Sequence, residues 1–68
     1  MLIYKVVFED EAIYYRTLTR AKEELWKMYE KYYAKYDNHQ EQKEKAKSLS
    51  RTNSIEDVGY VIAVEVKD

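Results

Sequence analysis

Sixty-eight residues hold one small domain, and the absence of cysteine rules out disulfides and thiolate metal sites. A formal net charge of −1 argues against both a strongly basic nucleic-acid binder and an acidic mimic of DNA. One core of this size contributes roughly 3–5 kcal/mol, so very regular packing or self-association is expected to supplement it.

No apolar run approaches the ~20 residues of a membrane span. The opening MLIYKVVFED has neither a basic leader nor a cleavage site. With no cysteine present, this points to a reducing cytoplasm. Lys and Tyr, which have AT-rich codons, are abundant, while Gly, Ala and Arg are sparse. A low-GC bacterium, or a phage of one, fits that bias, which by itself accounts for part of the Tyr and Lys content.

In Leu2–Glu9 the even positions Leu2, Tyr4, Val6 and Phe8 are all apolar and the odd ones mixed, the pattern of a strand with one buried face. Asp10-Glu11 is the expected tight connection, followed by a second strand over Ala12–Thr17. With a two- or four-residue loop, Ile13 and Tyr15 face the core and Tyr14 and Arg16 the other side, whereas a three-residue loop would reverse this. Thr19 is the expected N-cap of a helix over residues 19–36. Its apolar positions Ala21, Leu25, Met28, Tyr29, Tyr32 and Tyr36 form one stripe at helical spacing. Trp26 and Tyr33, seven residues apart, stand on the shoulder of that stripe. They either complete the core or wait for a partner.

Residues 37–54 are polar, with only Ala46 and Leu49 apolar. They read as a solvated helical extension to about Lys47 or a loop, with SLSRTNS irregular. Residues 55–68 supply the last strand. Gly59 marks a bend or bulge at its start, Val58, Tyr60, Ile62, Val64 and Val66 take the core side, and Val61, Ala63 and Glu65 the other.

The predicted architecture is α+β with the order ββαβ. It is a three-stranded sheet of antiparallel type, in strand order 2-1-3, with one long amphipathic helix on one face. An eight-residue strand spans about 26 Å and an eighteen-residue helix about 27 Å, so residues 37–54 are surplus to the crossing. The face away from the helix should expose Ile3, Val7, Tyr14, Val61 and Ala63, edged by Lys5, Arg16 and Glu65. Clustered apolar exposure of this kind marks interfaces, and a symmetric sheet-to-sheet homodimer is the first candidate.

Catalytic groups are scarce. There is no cysteine nucleophile, the one glycine permits no phosphate-binding loop, and Ser48, Ser50 and Ser54 have no base partner in the pattern. On a helix, Asp37 and Glu41 share a side but His39 points elsewhere, a poor metal site. No enzyme, metal or cofactor is expected. Lys43, Lys45, Lys47 and Arg51 form a short basic run with Glu41 and Glu44 interleaved, so nucleic-acid contact is the secondary expectation. Tyr and Trp favour protein contacts, which makes Trp26 and Tyr33 candidate interface residues beside the open sheet face.

The segments MLIYKVVFED, EAIYYRTLT, TRAKEELWKMYEKYY and DVGYVIAVEVKD resemble, in size, order and texture, small phage- or prophage-encoded accessory proteins of the anti-defence kind, including anti-CRISPRs. The resemblance covers most of the chain outside residues 37–54. It implies a stoichiometric inhibitor that occludes a site on a host protein complex. A nucleic-acid-associated regulator and a purely structural homodimer are the alternatives.

Overall fold

The computed structural model describes residues 1–67, so the last position of the expected C-terminal segment lies outside the described residues. The elements are β1 (Leu2–Phe8), β2 (Glu11–Tyr15), α1 (Leu18–Tyr32), a 3₁₀ turn (Ala34–Tyr36), α2 (His39–Thr52), β3 (Ser54–Ile55) and β4 (Gly59–Glu65). The fold is α+β with an antiparallel sheet, but among the described residues the sheet has four strands in the order β2-β1-β4-β3 and there are two helices. The fourth strand and second helix both come from the region around residues 37–55, which sequence periodicity left without a structural role.

Phe8 pairs with Glu11 in the β1–β2 hairpin, so the turn is Glu9-Asp10, one residue earlier than expected. Glu9 adopts φ 54°, a conformation for which glycine is the usual choice in two-residue hairpins. Its carboxylate accepts a hydrogen bond from the Tyr33 hydroxyl at 2.7 Å, tying the turn to the end of α1. The register moves by two residues relative to the expected one. Side-chain alternation is therefore preserved, and Ile13 and Tyr15 do share the face of Val6. Tyr15 packs against the core, whereas Ile13 remains exposed because β2 is the sheet edge.

Helix α1 starts two residues before the expected site: Thr17 is the N-cap, and its Oγ1 accepts from the Arg20 amide at 3.2 Å. Ala21, Leu25 and Tyr29, at i, i+4 and i+8, are fully buried against Val6, Phe8 and Val61 of the sheet. The helix ends at Tyr32 and the chain turns away through the 3₁₀ segment, so the stripe stops there. Tyr32 and Tyr36, expected in the core, are 49% and 75% exposed. Tyr29 links this turn back to the core by donating to Asp37 Oδ2 at 2.6 Å.

The expected loop or solvated extension is a capped helix running through SLSRT. Asn38 and Glu41 form a reciprocal capping box, with bonds of 2.8 and 3.0 Å. Asn53 closes the other end in the left-handed conformation at φ 57°, the role glycine commonly fills. Leu49 is the one buried residue of α2, and Ile55 and Val58 extend the same core beneath it.

The last strand corrects the expected facing. Val61 pairs with Val6 and Ala63 with Tyr4, so both are on the helix side, Val61 only 5% exposed; Tyr60, Ile62 and Val64 take the open side. Gly59 explains the inversion. It pairs with Phe8 beneath α1, where a Cβ would collide with the Val7 carbonyl oxygen and sit 3.0 Å from Leu25 Cδ1. Only the glycine position fits there, and strand alternation then sends every odd residue of β4 toward the helix.

Candidate protein-interaction surface

Both helices and the core lie on one side of the sheet, which leaves its other face open. The register builds that face in rows across the strands. Tyr14, Lys5 and Ile62 form one row, and Ala12, Val7, Tyr60 and Ser54 the next. Ile3 and Val64 form a third. Tyr14 is 53% exposed, Tyr60 and Ile62 44% each. Of the expected face, Ile3, Val7 and Tyr14 are present; Val61 and Ala63 are replaced by Tyr60, Ile62 and Val64. The missed residues had one signal in the sequence, the steric demand at Gly59, which alternation alone does not register.

Charge on this face is distributed along the strands. Lys5 is half-buried among apolar neighbours at the centre and makes no ion pair among the described residues; Arg16, directly after the end of β2, is exposed. At the opposite end, the β1–β2 and β3–β4 connections bring Glu9, Asp10, Glu11, Glu56 and Asp57 together. Val7 and Tyr60 of the face, with Glu9, Glu56 and Asp57, line a cleft of about 350 Å³ at that end.

The aromatic shoulder divides. Tyr33 belongs to the domain itself: its ring meets Phe8 edge-on at 5.8 Å and its hydroxyl is held by Glu9. That carboxylate acceptor raises the Tyr33 phenol pKa above its usual value, with burial adding to it. Trp26 lies over Tyr29 at 4.8 Å and packs against the core, while its outer edge lines a second cleft with Leu49, Lys22, Lys27 and Glu30.

The basic run is also split. Lys43, Lys47 and Arg51 recur at helical spacing on the exposed side of α2. Lys45 turns back instead, its Nζ donating to the Glu56 carbonyl at 3.3 Å. Asp37 and Glu41 serve the fold, as acceptor for Tyr29 and as capping residue, and His39 is exposed. Among the described residues no three His, Asp or Glu side chains gather as a metal site, and no helix is long and apolar enough to cross a membrane. The chain matches no family model, no curated protein and no solved structure.

Proposed function

We propose that this chain is a non-enzymatic protein-interaction module that binds through the open face of its sheet. The observation that carries this reading is the apolar surface of Tyr14, Val7, Tyr60 and Ile62, spanning three neighbouring strands with no element over it among the described residues. Burying such a surface at about 25 cal/mol per Å² is favourable, and tyrosine adds contact area at low entropic cost. In its specific form the module is a cytoplasmic, phage-type stoichiometric inhibitor of a host defence protein, a form supported by the resemblance in size and element order. Immobilised wild-type protein should retain a specific protein from a low-GC bacterial lysate, and the Ile62→Glu variant should not. Equal retention by both would refute binding through this face.

A second reading rests on the row Lys43, Lys47 and Arg51, which gives α2 a cationic side. A nucleic-acid regulator using it would bind with an affinity that falls steeply with salt. Unchanged affinity in Lys43→Ala/Lys47→Ala would dismiss that reading.

A further inference from the structure

We infer that the occupant of the open sheet face is a second copy of this chain, docked face to face with its strands reversed. The inference rests on the reading of that face as a protein-binding surface and names its occupant in the absence of a host protein, which would displace so weak a dimer. Closed two-fold dimers bury the same patch on both copies, so the patch must complement itself. This face does so through the order of its charges. Lys5 and Arg16 lie on one side of the Val7–Tyr60 row, and Asp10, Glu56 and Asp57 lie on the other, Glu9 being held by Tyr33 on the helix side.

A two-fold axis along the Ala12–Val7–Tyr60 row, in the plane between the sheets, superposes opposite ends. Val7 and Tyr60 then meet their own counterparts. Lys5 of each copy faces the acidic cleft of the other, and Arg16 faces the Asp10-Glu11 end of the other hairpin. A parallel docking places the two basic ends over one another and the acidic turns likewise, which like-charge repulsion opposes. Aligned sheets pack about 10 Å apart with a rotation near 30°, compatible with this overlap.

The face measures roughly 25 by 16 Å from strand rise and spacing, about 400 Å² per copy and about 800 Å² in all. That is below the ~1,200–2,000 Å² of tight complexes, so association belongs in the micromolar range or weaker. The central ammonium also makes it salt-dependent.

Sedimentation velocity between about 10 µM and about 1 mM tests this, the range in which an interface of such area populates both states. The wild-type mass should climb from the 8.3 kDa of the monomer toward twice that value, and fall back in high salt. Ile62→Glu should remain monomeric. The single variant Lys5→Glu and the double variant Glu56→Lys/Asp57→Asn should each be monomeric alone, with unchanged far-ultraviolet circular dichroism. Mixed one to one, they should associate, because each now supplies the charge the other needs at both ends. A wild-type chain that stays at monomer mass overturns the proposal, as does a dimer that survives Ile62→Glu or a mixture that does not associate. A monomeric wild type whose lysate partner is still lost in Ile62→Glu overturns the second copy alone. A lysate partner retained by both forms refutes host-protein binding through this face, while the second copy stands or falls on the sedimentation of Ile62→Glu.

Discussion

At Gly59 a single methyl group meets the Val7 carbonyl on one side and Leu25 on the other. Gly59→Ala should therefore cost about 1–3 kcal/mol, the usual cost of forcing extra volume into a packed site, read as a lower urea midpoint. The same residue shows what was legible in the sequence and what was not. Ala21, Leu25 and Tyr29 could be placed from spacing, because charged positions interrupt the helix pattern and mark its dry side. In β4 every position from Tyr60 to Val64 is apolar, so alternation carries no phase. The phase is set by the clearance around one Cα, which no periodicity encodes. Tyr29 makes a second residue-scale case. It is fully buried and donates to Asp37 at 2.6 Å. Tyr29→Phe should lose about 1.5–3 kcal/mol, the range for a hydrogen bond to a charged group, in denaturant unfolding.

Helix α2 is the element that sequence reasoning passed over. It lacks an apolar stripe and joins the core through one buried side chain, Leu49. Its ends are nevertheless written in the sequence: Asn38 with Glu41 three residues later, and Asn53 where the left-handed cap falls. In a chain with a single glycine, asparagine and aspartate are the remaining residues that accept that conformation readily, as Asn53 and Asp57 do. Leu49→Ala should cost about 2–5 kcal/mol. Hydrogen exchange should accelerate across α2 and β3 first, with β1 and the buried turns of α1 retaining protection. Asn38→Ala should cost about 1 kcal/mol through the lost cap, read as reduced helicity on heating. The candidate surface is likewise a property of elements. Its β1 and β2 residues were legible because polar residues fix their phase, and its β4 residues were not.

For the whole molecule, pH reports on tyrosines. Burial raises the pKa of Tyr15 and, more strongly, of Tyr29, where the Asp37 hydrogen bond acts in the same direction; the Glu9 hydrogen bond raises that of Tyr33. In the unfolded chain these phenols ionise near pH 10 while the folded protein still holds their protons. The folded state then binds more protons, so stability falls as pH rises. The contribution is intact below about pH 10 and is lost through the folded-state values above it. Urea midpoints should be flat in this respect from neutral pH to about 9.5 and decline beyond about 10. Tyr29→Phe, although less stable, should decline less steeply.

The central position of β1 also sets an order of events in time. Its hairpin with β2 is local, but its other neighbour, β4, pairs Leu2 with Glu65. During synthesis at ~5–20 residues per second, Val6 and Phe8 wait seconds for the segment that encloses them. Until then the nascent chain carries a strand with one vacant edge, a template for its own neighbours on a polysome. Crowded translation is therefore where this protein is most exposed to misassembly, and lowering the initiation rate should raise its soluble yield more than lowering the temperature of the finished chain.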